Sequence, residues 1–257
     1  MDARLTMEAA ITGMAPARQD RPAARREQRL PFTIRVAGTE EQLQRAVDVR
    51  YRAYGRHVPV FAEKLRAPEA MDRASGCVVL LAESRLDGEP LGTMRIQTNR
   101  DRPLPLESLG LPDWLQNRRL AQASRLGVET GRMGTVVKTA LFKAYYLFCR
   151  QASIEWAVIA GRPPLDRMYE ALCFQDVFPG ELIPLPFAGN LPHRIMAVEV
   201  DTLAEQWQAA GHRLHEFFFA TRHDDIDLSL SRPEATALPS AVPSLPRPME
   251  GAERRAA

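Results

Sequence analysis

Apolar and polar positions alternate from Phe32 to Val36, the period of a strand with one buried face. The pattern changes at Gly38-Thr39-Glu40, where Thr39 predicts a helix cap and Leu43, Val47, Arg50 and Tyr54 fall on one helical face. After a proline-broken stretch, Cys77 to Glu83 reads as a β-rich run, Leu86 to Glu89 as a turn and Leu91 to Thr98 as a second strand, which makes a hairpin. Residues 99–119 are too polar and proline-broken for a strand and too long for an idle connection, so they predict an excursion that covers a site.

A third strand is expected over Leu120–Val128, a glycine-containing loop over Glu129–Gly134 and a long helix from Val136 to about Ala152. Ile154–Ala160 has the unbroken apolar character of a buried strand, Pro163–Leu172 that of a helix with proline near its start, and Arg194–Val200 that of a late strand. A last helix is expected from Thr202 to Phe219. A hairpin followed by a strand-helix-strand unit predicts an α/β fold (an α+β mixed sheet), with no internal repeat. Composition predicts disordered tails at 1–30 and, with five prolines, at 231–257; one domain fills 31–230.

The chain has 257 residues, of which 45% are hydrophobic and 26% charged, the profile of a globular protein. No apolar run reaches the length of a membrane span, and no secretory leader is evident, which predicts a cytoplasmic protein. Cys77, Cys149 and Cys173 are odd in number and widely spaced, as buried thiols in a reducing compartment would be. A net charge of +2 argues against a nucleic-acid binder held by phosphate neutralisation. Residues 100–150 nevertheless hold nine bases against four acids, either a solvated face or a surface for an anionic partner. His212 and His215 stand three apart with no third ligand, so no metal site is expected. No G-x-S-x-G elbow supports a serine hydrolase.

Four segments in this order resemble the GNAT superfamily, and within it the branch of N-acyl amino acid synthases (FeeM-like) and acyl-homoserine-lactone synthases. They are Val49-Arg50-Tyr51-Arg52-Ala53-Tyr54 with the acidic Glu69-Ala70-Met71-Asp72; Leu91-Gly92-Thr93-Met94-Arg95-Ile96; Ser124-Arg125-Leu126-Gly127-Val128; and Met168-Tyr169-Glu170-Ala171-Leu172-Cys173-Phe174. The resemblance spans about 32–200 and implies a GNAT-like acyl-CoA N-acyltransferase fold, a central mostly antiparallel sheet with a βαβ unit flanked by helices. Two departures stand out. Gln122 occupies the position of the branch's strand carboxylate, and Glu129–Gly134 lacks the spacing of a CoA-pyrophosphate loop.

The implied reaction moves an acyl group, expected to be long, from an acyl carrier protein thioester to the amine of an amino acid or similar small molecule. The alternatives are a CoA-dependent acetyltransferase and a catalytically silent acyl-binding or carrier-binding module. No tightly bound cofactor is expected; the donor is an acyl-phosphopantetheine on acyl carrier protein or CoA. By resemblance, main-chain groups of Leu126, Gly127 and Val128, opposite Val158–Gly161, hold the pantetheine arm, and Tyr169 protonates the leaving sulfur. Ser124 and Arg125 join the catalytic set, and Glu129 or a water relay replaces the missing base. Arg95 and Arg125, with Arg50 or Arg52, are candidates for an acceptor carboxylate, because guanidinium pairs with carboxylate in two-point fashion. Tyr145, Trp156 and Val158 are candidates to line the acyl slot. Arg118, Arg119, Arg132, Lys138 and Lys143 are candidates to steer an acidic carrier protein.

Overall fold

A computed structural model describes residues 26–229; the remainder of both expected tails lies outside the described residues. In chain order the elements are β1 (Arg26–Glu27), β2 (Phe32–Val36), α1 (Glu40–Gly55), α2 (Pro59–Ala62), β3 (Cys77–Ser84), β4 (Pro90–Thr98), β5 (Leu120–Val128), α3 (Gly131–Gln151) and β6 (Trp156–Gly161). There follow α4 (Leu165–Ala171), β7 (Gln175–Asp176), β8 (Ile183–Leu185), β9 (Leu191–Glu199), α5 (Leu203–Ala209), β10 (Thr221–Arg222) and β11 (Ile226–Asp227). No helix among the described residues is long and apolar enough to cross a membrane.

The main sheet runs β11-β2-β3-β4-β5-β6-β9-β7, with β8 also pairing β9. It is mixed: β2 to β5 are antiparallel neighbours, β5 and β6 are parallel, and β6 and β9 are antiparallel. Side chains alternate between its faces. Leu80, Ala82, Met94, Ile96, Ala121, Ala123, Ala157 and Ile159 form one face, on which α3 buries Val137, Leu141 and Tyr145. The opposite face is covered at one side by α1, through Leu43 and Ala46 against Val79 and Leu81. At the other side Leu104, Leu106, Leu111 and Leu115 pack on Leu120, Val158, Ile195 and Ala197.

α1 begins where expected, since Thr39 Oγ1 accepts from the Gln42 backbone and the Gln42 side chain returns to the Thr39 backbone. The strands at 32–36 and 120–128 have the boundaries read from the sequence. Other expectations are corrected. The 99–119 excursion is packed down by four buried leucines and lines no part of the cavity described below. The long helix starts at Gly131, because the segment read as a loop supplies its first turn. The expected last helix ends at Ala209, and a π-helical turn, Glu216–Ala220, follows separately. Arg26–Glu27, within the expected tail, pairs with Thr221–Arg222.

Two irregularities shape the centre of the sheet. β5 and β6 pair only from Leu120↔Trp156 to Ala123↔Ile159, and beyond that point the strands separate. On its other side β5 carries a bulge: Thr93 and Arg95 of β4 face Gly127 and Ser124, so three steps of β5 oppose two of β4. The bulge places Arg125 in the left-handed region with φ +54°.

Candidate active site

The gap between β5 and β6 opens into a cavity of about 620 Å³. Its walls are the end of α1 (Tyr54, Arg56, His57), β5 from Ala123 to Val128, the first turns of α3, the end of β6 with Arg162–Leu165, Tyr169 of α4 and His193 of β9. Met94, Ala123, Phe142 and Ile159 give it an apolar inner wall. Its lining carries four permanent cations, Arg56, Arg125, Lys138 and Arg162, against one carboxylate, Glu129. The N-terminus of the 21-residue α3 adds unpaired backbone N–H groups and the positive end of its dipole. The tight entry into α3 requires Gly134, whose Cβ, if present, would meet the Glu129 carbonyl oxygen at 1.7 Å.

Arg125 is turned to the acidic segment after α2. Its Nε and Nη2 donate to the Glu69 carboxylate at 2.6 and 2.7 Å, and Nη2 also donates to the Phe187 carbonyl at 3.1 Å. Arg50, with no exposed surface, holds Asp72 through two bonds of 2.9 and 3.0 Å. Arg95 bridges the pairs, reaching Glu69 at 3.0 Å, Asp72 at 3.2 Å and Ser124 Oγ at 3.2 Å. Three guanidinia thus share two carboxylates. Burial raises the pKa of Glu69 and of Asp72, but hydrogen bonds from Arg125 and Arg50 and the surrounding positive charge outweigh it, so both lie below their ordinary values. This network lies in the sheet between the two apolar clusters of its face. Arg50 and Arg95, read as acceptor-binding residues, do not line the cavity; both are buried with their charges matched by Asp72 and Glu69.

Tyr169 is buried, and its ring lies over Gly161, where a Cβ would come within 2.7 Å of it. Among the described residues nothing hydrogen-bonds its hydroxyl, while burial and the neighbouring Tyr54 hold its pKa above the ordinary phenol value. Glu129 is paired to Arg52 at 2.8 Å and to Arg56 at 3.5 Å. The Val128 carbonyl accepts from Arg56 at 2.5 Å, and Gly127 lies beneath α1 against Ala53. Arg52 itself is outside the lining.

Of the remaining residues read as candidates, Leu126, Gly127, Val128, Ser124, Arg125, Glu129, Tyr169 and Lys138 are brought together here. Tyr145, Trp156 and Val158 are not. The Tyr145 hydroxyl donates to the carbonyls of Ala121 (2.5 Å) and Val158 (3.3 Å) inside the core, and Trp156 packs on Trp114 with ring centroids 4.9 Å apart on the far face. Lys143 is no surface charge. Only 2% exposed, it places Nζ on the Phe217 carbonyl (2.7 Å), the Thr221 carbonyl (2.6 Å) and His223 Nδ1 (2.7 Å). Arg118 and Arg119 pair with Glu155 at the start of β5, whereas the cavity opens at its end, a strand length of about 27 Å away. Arg132 is exposed next to the lining residue Gly131, and Met133, Val136 and Leu165 are exposed as well.

Arg56, His57, Arg162 and His193 line the cavity without having been singled out from the sequence. None stands in a local motif. His193 is placed by the pairing of β9 with β8 and β6, a long-range fact that no spacing announces. Among the described residues no group of three or more His, Cys, Asp or Glu side chains could hold a metal ion, and His212 donates to or packs on its surroundings through the Ala171 carbonyl and Trp207.

The family model described as N-acyl amino acid synthase FeeM matches residues 45–199, which include most of α1, the hairpin, the bulge, the cavity and all of β9. The structure of FeeM, an N-acyl amino acid synthase from uncultured soil microbes, aligns at 18% identity over 72% of this chain and 96% of that one, with a TM-score of 0.54. BjaI, a CoA-dependent acyl-homoserine lactone synthase solved with SAM and isopentyl-CoA, aligns at 17% identity over 75% and 93%, with a TM-score of 0.50. At these identities the structures show a common fold, that of the GNAT acyltransferases. No curated protein matches the chain significantly.

Proposed function

The chain belongs to the FeeM family of N-acyl amino acid synthases and is an N-acyltransferase, and from that premise we propose that it joins a long acyl chain, delivered on acyl carrier protein, to the amino group of an amino acid. The observation that carries the reading is the electropositive cavity at the β5–β6 gap, with an apolar inner wall and a buried tyrosine. In this reading the phosphopantetheine phosphate lies at the N-terminus of α3, near Lys138 and Arg56. The pantetheine arm follows Leu126, Gly127 and Val128, which lie past the point where β5 pairs with β6. The acyl chain runs along Met94, Ala123, Phe142 and Ile159, where each buried methylene is worth about 0.8 kcal/mol.

Amide formation needs a neutral amine, a polarised carbonyl and a protonated leaving sulfur. Tyr169 supplies the last, since its raised pKa keeps the phenol protonated at neutral pH. Arg125, fixed by Glu69 with its φ set by the bulge, orients the carboxylate of the incoming amino acid, and Ser124 anchors the Arg95 side chain behind it. Arg132 and Lys138, with the exposed Met133, Val136 and Leu165, make a basic and apolar rim suited to an acidic carrier protein. A CoA donor is the second reading. It is favoured by the backbone N–H groups that Gly131–Met133 present at the mouth, which suit a pyrophosphate in spite of the altered loop.

Mass spectrometry of lipid extracts from cells expressing the chain tests the proposal against an empty vector and a Tyr169→Phe variant. New N-acyl amino acids in the wild type alone support it and report head group and chain length together. Acetylated amines in their place would support the CoA-dependent short-chain alternative, and absence of turnover with any thioester would overturn the proposal.

A further inference from the structure

We propose that His193 is the general base that takes the proton from the acceptor amine, replacing the carboxylate for which Gln122 stands; the inference rests on the N-acyltransfer reading above and deepens it. His193 is only 7% exposed, lies on β9 opposite Ile183, and is one residue from Arg194, the partner of Gly161 at the end of β6. It therefore borders the gap and shares the cavity with Tyr169 and Arg125. Its Nδ1 is 2.6 Å from the Leu191 carbonyl oxygen. A carbonyl only accepts, so Nδ1 carries the hydrogen, and the lone pair of the neutral ring is on Nε2. Nε2 has no hydrogen-bond partner among the described residues, and His193 is part of the cavity lining.

The other titratable groups of the lining are less suited. Glu129 is held between Arg52 and Arg56, His57 is exposed at the end of α1, and Tyr54 and Tyr169 are phenols. Glu69 and Asp72 are committed to Arg125, Arg95 and Arg50. Of the charged groups in the lining, which are Arg56, Arg125, Lys138, Arg162 and the paired Glu129, Arg162 from the β6 end is the one whose charge acts on His193. Burial lowers the pKa of His193, its bond to Leu191 opposes this, and the charge of Arg162 lowers it further. The ring is therefore neutral at pH 7 and able to accept.

In the step, Nε2 takes one proton from the ammonium group of the acceptor. The freed amine attacks the thioester carbonyl, the C–N bond forms and the C–S bond breaks. The second amine proton is passed through the Tyr169 hydroxyl to the leaving sulfur, and His193 returns its proton to solvent. No oxidant or other reactant is required.

The test uses the full chain with dodecanoyl-pantetheine and an equimolar mixture of amino acids, read as thiol release and as product mass. His193→Gln is expected to lower kcat about 10²–10⁴-fold while the KM for the thioester changes less than about 3-fold. The acid limb of the wild-type kcat profile should vanish in the variant. Amino acid amides, whose amines are weaker bases and more often neutral, should narrow the deficit by about tenfold. His193→Asn, whose amide retains a donor for the Leu191 carbonyl, gives the deciding readout if the glutamine variant loses its thermal transition. An active wild type with an unimpaired variant, or an equal deficit on amino acids and amides, overturns the assignment of His193 alone. A wild type inactive with every donor and acceptor overturns the assignment and the transfer reading together.

Discussion

Arg125 and Glu69 meet side by side, Nε and Nη2 of the one 2.6 and 2.7 Å from the two carboxylate oxygens of the other. The pairing joins a bulge in the central strand to a segment 56 residues earlier, and Arg95 and Asp72 extend it to Arg50 under α1. Removing the Glu69 charge leaves Arg50 and Arg95 sharing Asp72 and Arg125 without a carboxylate. Glu69→Gln should therefore cost about 3 kcal/mol or more in chemical denaturation, because an uncompensated buried charge is more costly than the pair was stabilising. A loss under about 1 kcal/mol would mean that solvent screens the network.

The same network and a second site set two pH windows. Glu69 and Asp72 have folded pKa values below their unfolded ones, so their contribution is complete above about pH 4.5 and is lost as pH falls through the folded values. His223 is held down to about 4 by burial and by Lys143, against the opposing charge of Asp225. Its neutral form belongs to the folded state, so its contribution is complete above the unfolded value of about 6.5 and drains between there and about 4. The melting temperature should fall in two stages on acidification, and His223→Gln should shrink the upper stage, to which His193 also contributes, and leave the lower one.

Lys138 and Lys143 lie on one helix five residues apart and should behave as opposites. Lys138→Glu, at the cavity mouth, should raise the apparent KM for an acyl carrier protein donor with little change in stability or in turnover of a small thioester. Lys143→Glu places a carboxylate against the Phe217 and Thr221 carbonyls, and should destabilise the fold by about 3 kcal/mol or more, whatever the donor. Equal effects of both changes on carrier KM, with intact folding, would contradict this division.

Tyr169→Phe removes a hydroxyl that no described residue hydrogen-bonds, so stability should stay within about 1 kcal/mol of wild type. If the phenol protonates the leaving sulfur, kcat should still fall about 10²-fold or more, and less so with an aryl thioester, whose thiolate leaves unaided. Gly161→Ala should reproduce part of the loss by pushing on the ring from below, where the added Cβ would stand 2.7 Å from it. Unaltered kcat in Tyr169→Phe would assign the residue to packing against Phe142 and Phe174.

What the sequence disclosed, and what it withheld, follows the range of the interactions. Thr39 with Gln42, and the alternation over 32–36, are local signals, and the elements begin where those residues place them. The resemblance picked out Arg50, Glu69, Asp72, Arg95 and Arg125 as separate motif members; their mutual pairing required the strand register. The left-handed Arg125 gave no warning, because an arginine lacks the glycine that usually marks such a backbone. Lys143 looked like a solvated base because its acceptors, Phe217, Thr221 and His223, come from a turn about 75 residues later. The break after Ala209 was hidden by an apolar run, Phe217-Phe218-Phe219, that suits a helix equally well.

Gln122 gives the sharpest test of where the base is. Restoring the carboxylate by Gln122→Glu would rescue a missing base if that position faced the substrate. Gln122 is instead 1% exposed, lies outside the cavity lining, and stands across from Gln97 in the β4–β5 register; the side-chain oxygens of both lack partners. A carboxylate there would have its pKa raised by burial and would hold its proton, donating it to the Gln97 oxygen. Its folded pKa would then exceed the unfolded value of about 4.3, so the variant should be closest to wild type in acid and lose stability as pH rises through that folded value. No increase in kcat should accompany the change, and the acid limb assigned to His193 should remain. A faster enzyme with a new, lower acid limb would instead place the base on β5.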